Sequence, residues 1–358
     1  MKMKTRMKTY RPNYKLAEKK AIEFINCLDT KELPIKLMKF KKVFDDLEIK
    51  TYSWYSKKMG LPIEKVCEDL GSEDGCCVYN EFNGKYRIYY NDTIENEGRK
   101  RWTLAHELGH YALKHHETYG RSIMQRNGIL DEDYIAFEKE ANCFARNLIA
   151  PPYVIFHIKD VNPTLIQHAC NISFEASLNI FKFIKQGIKD FGRGYPREIA
   201  KKMGFESFLY AINNRYFCKE CRCNFILEAP DYCPCCGKKT ITKTPYKFGD
   251  DFNMKFPGVE VDHKSRAKIC PHCHNEELDY EGDFCMVCGH YIVNECTNDD
   301  GRLDGVPCGI LLPGNARHCY KCGADSTFYS KNFIVKWDYN FSNRVEVIDG
   351  DEDPDFPF

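Results

Sequence analysis

The 358-residue sequence lacks an excess of either charge: Lys+Arg and Asp+Glu stand at 52 each, so the overall balance gives no reason to expect a polyanion as the main partner. It also lacks long hydrophobic runs. No uncharged apolar stretch reaches the roughly 18 residues that suggest a membrane span. A basic start, with eight Lys or Arg against one Glu in the first 20 residues, is not followed by the apolar stretch of a secretory signal. These absences lead to the expectation of a soluble, cytoplasmic protein with no membrane partner. What is present points to a folded chain: 43% hydrophobic and 29% charged residues place it among globular proteins, and its length suggests two or three compact units. Cysteine is abundant at 20. In a reducing compartment, clustered Cys are metal ligands more readily than disulfides.

Cysteine usage divides the chain: six scattered residues up to Cys170, then fourteen between Cys218 and Cys322. The first part reads as an α+β domain over residues 15–190, after a basic extension (1–14) and before a linker (191–212). Helices are expected at Lys15–Cys27 and Ile35–Leu47, then a strand-like Ile49–Trp54. Asn83-Gly84 signals a hairpin between Cys76–Asn80 and Tyr86–Tyr90. Helical periodicity returns over Arg99–His115, Ile135–Ile149 and Pro163–Lys185, with Pro151-Pro152 stopping the middle one. Residues 345–358, with six acids, read as a flexible acidic tail.

His106-Glu107-Leu108-Gly109-His110 lies inside a helical pattern, where two histidines four apart project from one face and can grip one cation. Zinc takes nitrogen, oxygen or sulfur ligands, and a catalytic site keeps one position for water, so one more protein ligand is needed. Glu107 is placed to be the general base: it can take a proton from zinc-activated water and return it to the leaving amine.

Two places offer the third ligand. His116 stands where a metzincin would have its third His, but Leu113 replaces the glycine that would break the helix. An unbroken helix would carry His116 about 240° around from His110. His115 and His116 are therefore expected at the surface or behind the ligands. The segment from Phe137 to Pro151 offers Glu138 and Glu140. Glu138 is preferred, because it shares a face with Ala141, Ala145 and Asn142, and Asn142 is suited to orient a ligand His. Glu140 points about 200° away. Tyr111 is a candidate to stabilise the oxyanion by residue type alone.

His106-Glu107-Leu108-Gly109-His110 together with Glu138-Lys139-Glu140-Ala141-Asn142-Cys143-Phe144-Ala145 and Leu148-Ile149-Ala150-Pro151 resembles the ImmA/IrrE family of metallopeptidases. The likeness extends to Leu33-Pro34-Ile35 and to the segment from Ile172 to Ser177. It implies a zincin-like metallopeptidase domain with a small sheet and active-site helices. By motif it places the zinc ligands on His106, His110 and Glu138 and the base on Glu107. It further implies cleavage of a DNA-binding repressor of a mobile element, prophage or stress response. Many relatives carry a helix-turn-helix upstream; this chain has no room for one, so the repressor is expected to be a separate protein.

The C-terminal cysteines read as two or three small β zinc-ribbon modules. Cys218, Cys221, Cys233 and Cys236 form the first (213–240), and Cys270, Cys273, Cys285 and Cys288 the second (266–292). Cys296, Cys308, Cys319 and Cys322 form a third (293–330), which begins with a long gap. Four thiolates close a tetrahedron and leave no open position, so these zinc ions are structural, and they replace cores too small to hold alone. Cys223 and Cys235 are spare, with Cys235 able to substitute for a neighbour. His272, His274, His290 and His318 read as surface residues beside complete sites. Cys27, Cys67, Cys76, Cys77, Cys143 and Cys170 read as buried small hydrophobes. Between Ala211 and Ser330, 14 Lys or Arg face 17 Asp or Glu, so protein recognition by the ribbons is preferred over direct nucleic-acid binding. The expectation is thus an endopeptidase with one catalytic and two or three structural zinc ions. The alternative is a non-catalytic zinc-ribbon adaptor or transcription regulator with a metallopeptidase-like sensing domain.

Overall fold

A computed structural model describes residues 11–119, 131–191, 199, 202–244, 256–278, 280–301, 303 and 305–339. The expected acidic tail and most of the basic extension lie outside these residues. The chain forms two units, Met1–Asn213 and Asn214–Phe358. Among the described residues, no helix is long and apolar enough to cross a membrane.

The first unit mixes helices with a small sheet, as expected for an α+β domain. Its elements are α1 (Tyr14–Asn26), α2 (Phe40–Val43), β1 (Leu47–Thr51), α3 (Tyr52–Met59), α4 (Ile63–Leu70), β2 (Gly75–Asn80) and β3 (Lys85–Tyr90). There follow α5 (Glu97–Ala112), α6 (His115–Tyr119), α7 (Asp131–Ile149), α8 (Pro152–Ile155), α9 (Pro163–Cys170) and α10 (Phe174–Phe191). The sheet runs β1-β3-β2, with β1 parallel to β3 and β2 antiparallel to it. The β2–β3 hairpin turns at Asn83-Gly84, where Gly84 takes a φ of 68° that costs glycine little.

Several boundaries differ from the sequence reading for local reasons. The helix expected over Ile35–Leu47 shrinks to a 3₁₀ turn, Leu37–Lys39, and the single turn of α2. Trp54 belongs to α3 and not to a strand, because the Thr51 side chain caps that helix by accepting the Trp54 backbone N–H. Pro163–Lys185 divides at Asn171, whose left-handed φ of 52° ends α9. The stretch read as a linker carries the helix Glu206–Asn213, and Met203 and Phe205 just before it are buried in the first unit's core.

Helices α5 and α7 pack face to face, with α1 against α7. Aromatic residues fill the core: Phe24 meets Phe144 edge-on at 5.2 Å and Tyr111 at 6.0 Å. At Gly109, α5 runs close against the Ala141 backbone of α7. A Cβ added there would lie 3.0 Å from Ala141 Cα and 3.0 Å from Ala141 O. The glycine inside the two-histidine motif therefore sets the distance between the helices. A Gly109→Val variant should lose about 1–3 kcal/mol of stability by overpacking, readable by denaturant unfolding; unchanged stability would mean that the helices separate freely.

In the second unit, Arg215–Cys218 (β4), Asn224–Ile226 (β5) and Ile241–Lys243 (β6) form an antiparallel sheet ordered β5-β4-β6 around the first cysteine cluster. The other two clusters are framed by isolated bridges such as Phe284↔Tyr291 and Cys296↔Ser326. Five knuckles repeat one device: the carbonyl of the first Cys accepts the N–H of the residue four positions on. These pairs are Arg222 to Cys218, Gly237 to Cys233, His274 to Cys270, Gly289 to Cys285 and Gly323 to Cys319. Each of the five donors has a positive φ, which turns the chain tightly enough for both cysteines of the pair to face inward. The first half of the third cluster lacks this knuckle. There a loop brings Cys308 back, its N–H donating to Asn298 O.

Candidate metal centres

Helix α5 begins at Asn96, whose side chain accepts the Arg99 N–H, and carries His106 and His110 on one face. Their Nε2 atoms stand 3.1 Å apart. From α7, Glu138 Oε2 lies 3.2 Å from His106 Nε2 and Oε1 lies 3.5 Å from His110 Nε2. The structure thus brings together the three residues singled out as ligands, with their donor atoms within 4.8 Å of one another.

What surrounds them decides whether a cation fits. His106 Nδ1 donates to Asn142 Oδ1 at 3.1 Å, as expected of Asn142. His110 Nδ1 faces His115 Nδ1 at 2.9 Å, and His115 Nε2 reaches Glu140 Oε2 at 2.9 Å. The backbone N–H of Asn13 donates to the other oxygen of Glu140. Glu140 only accepts, so His115 carries its proton on Nε2, its Nδ1 accepts from His110, and His110 offers a bare Nε2. Both histidines therefore turn lone pairs toward the same point, beside a carboxylate. Two imidazole nitrogens and one carboxylate oxygen form a donor set that fits zinc. Burial pushes the His110 imidazole down to about 3, which keeps it neutral and able to ligate.

The chain from His110 through His115 to Glu140 meets one of the two places the sequence left open for His115, behind the ligand candidates, and adds Glu140, which the sequence reading set aside. The unbroken-helix argument placed His115 and His116 off the metal face, but Lys114 takes a left-handed φ of 54° and breaks the helix just before them. His115 and His116 are 1% and 0% exposed, His115 lying behind His110 and His116 Nε2 donating to Cys77 O at 2.9 Å. Glu140, set aside as a ligand, is buried with them. Replacing His115 by Phe should weaken zinc binding by about 10–100-fold in chelator competition. Equal affinity would show that this chain does not orient His110.

Glu107 faces a cleft of about 630 Å³ whose lining includes His106, His110, Glu138, Trp102 and Tyr134. Burial pushes its carboxyl up to about 7, against the pull of His106 and of the Cys77 backbone N–H. Tyr111 does not reach the cleft: it lies in the core and its hydroxyl donates to Asp46 Oδ1 at 2.6 Å. Tyr134, one turn before Glu138 on α7, is the tyrosine in the cleft wall. Its i−4 spacing from Glu138 was the available signal.

In the second unit the three expected groups of four cysteines come together: Cys218, Cys221, Cys233 and Cys236; Cys270, Cys273, Cys285 and Cys288; Cys296, Cys308, Cys319 and Cys322. Sulfur–sulfur distances run from 3.4 Å (Cys296–Cys322) to 3.7 Å (Cys308–Cys319), far beyond a disulfide bond. They approach the roughly 3.8 Å edge of a zinc–thiolate tetrahedron with bonds near 2.3 Å. Backbone N–H groups of Cys235, Asn298 and Lys321 point at the sulfurs of Cys233, Cys296 and Cys319, as suits thiolates. The donor chemistry fits zinc at all three. Cys236, not Cys235, completes the first group, while Cys223 and Cys235 are buried beside it. Cys236→Ser should therefore cost one zinc per chain by elemental analysis and Cys235→Ser none; the reverse would exchange their roles. Of the scattered cysteines, two depart from the reading as buried hydrophobes: Cys27 is exposed at the end of α1, and Cys67 is only half-buried.

Residues 62–160 match the family model of peptidase M78, the IrrE N-terminal-like domain. The resemblance seen in the motifs holds over this segment, which contains His106, Glu107, His110 and Glu138. A metallopeptidase-like domain is thereby shown for this part of the chain. No curated protein matches the sequence.

Proposed function

We propose that the chain is a zinc-dependent endopeptidase of the HExxH-plus-Glu type, with His106, His110 and Glu138 as ligands and Glu107 as general base. The observation that carries this reading is the convergence of three donor atoms within 4.8 Å at the floor of an open cleft, with a buried carboxylate beside them. Zinc bound there would lower the pKa of water to about 7 and polarise the scissile carbonyl. Glu107 takes the proton from the attacking water and hands it to the leaving amine. Its raised proton affinity suits both halves of that task. Gly75, Cys76 and Cys77 line the cleft from β2, which among the described strands pairs only with β3.

The substrate in this proposal is a regulatory protein, such as a separate helix-turn-helix repressor of a mobile element, prophage or stress response, in the cytoplasm. The family match over residues 62–160 supports the chemistry, and the low positive charge of the ribbon region supports a protein partner over nucleic acid. The three ribbons hold one structural zinc each and position that protein. The test is to incubate the zinc-loaded chain with candidate repressors and with proteome-derived peptides and to map cleavage by mass spectrometry. Cleavage abolished by chelation and restored by zinc is expected; no cleavage of either set would overturn the reading.

A further inference from the structure

The second ribbon holds more ligands than one zinc uses. His272, from the first knuckle, and His290, two residues after Cys288, place ring nitrogens within 4.8 Å of each other and of Cys288 Sγ. The rings stack with centroids 3.7 Å apart and planes 17° from parallel. His290 Nδ1 is shielded from solvent and has no hydrogen-bond partner, an arrangement that costs free energy unless something binds the nitrogen. Cys288 is half-buried.

We propose that His272, His290 and Cys288 bind a second zinc ion, with the Cys288 thiolate bridging it to the structural ion of the ribbon. The chemistry is consistent with zinc: two neutral imidazoles and a thiolate are borderline-soft donors. The electrostatics favour it as well. Residues 266–292 carry five acids (Glu276, Glu277, Asp279, Glu281 and Asp283) against Arg266 and Lys268, and four thiolates around one zinc ion add two further negative charges. His272 is exposed, and ligation requires its ring to turn out of the stack so that its lone pair meets the ion. Three protein ligands leave a fourth position for water or for a carboxylate, imidazole or thiolate of a docked protein. This ion would differ from the three closed sites in being exchangeable and open to an outside ligand.

The test uses the full-length chain saturated with Zn²⁺, freed of excess metal, and analysed for zinc per chain alongside His272→Phe and His290→Phe. Phenylalanine keeps a ring in the stack and removes the nitrogen donors. Each variant is expected to hold one zinc fewer than wild type, while Cys270, Cys273, Cys285 and Cys288 stay as resistant to alkylation as before. Equal zinc content would overturn the proposal and leave the stack as packing alone. Loss of zinc with exposure of those four thiols would also overturn it, since the histidines would then serve the structural site. The ribbon lies outside the peptidase unit, so either result stands apart from the outcome of the cleavage assay.

Discussion

Replacing Glu107 by Gln is expected to lower cleavage by about 10²–10⁴-fold while zinc content per chain stays unchanged. The side chain has nearly the same size, and Glu107 is not among the three converging donors, so the ion and the fold are expected to persist. What Gln cannot do is accept a proton from water and deliver it to an amine. Burial already pushes the Glu107 carboxyl up to about 7, which matches the proton affinity of a base that must also act as an acid near neutral pH. The comparison is made with one cleavable protein, wild type and variant at equal zinc loading. A variant that cleaves as fast as wild type would remove Glu107 from the chemistry and favour the adaptor reading.

Glu138→Ala is the second large effect. It should cost one zinc per chain and reduce activity by more than the roughly 10–100-fold that an outer partner is worth, because two imidazoles alone make an incomplete site. The three cysteine clusters lie in the other unit and should keep their metal. Elemental analysis reads the lost ion directly. If zinc content is unchanged, Glu138 is a hydrogen-bonding neighbour of His106 and His110 and not a ligand.

The parts of the site written in short-range spacing were legible in the sequence. His106 and His110 share a face because a helix repeats every 3.6 residues, and Glu138 was found because Ala141 and Ala145 mark a face made for close approach. The ribbon cysteines were legible for the same reason: two residues between ligands suit one tight knuckle. What escaped depended on single dihedrals or distant contacts. No residue type announces that Lys114 adopts a left-handed φ, yet that one angle brings His115 behind His110. Asn13 donates to Glu140 across 127 positions of chain, a contact that no local pattern encodes. The boundary at Trp54 was lost because a side-chain cap at Thr51 outweighed the strand pattern. In the ribbons, His272 is exposed as expected, but its stacking on half-buried His290 depends on the folding of the two knuckles.

The central claim is that His106, His110 and Glu138 share one zinc ion, and anomalous diffraction at the zinc absorption edge from crystals of the full-length protein tests it most directly. The account predicts a peak about 2.0–2.2 Å from an imidazole nitrogen of each histidine and from a Glu138 oxygen, in addition to peaks inside the cysteine clusters. Peaks at the clusters with none between α5 and α7, in crystals grown with ample zinc, would contradict it.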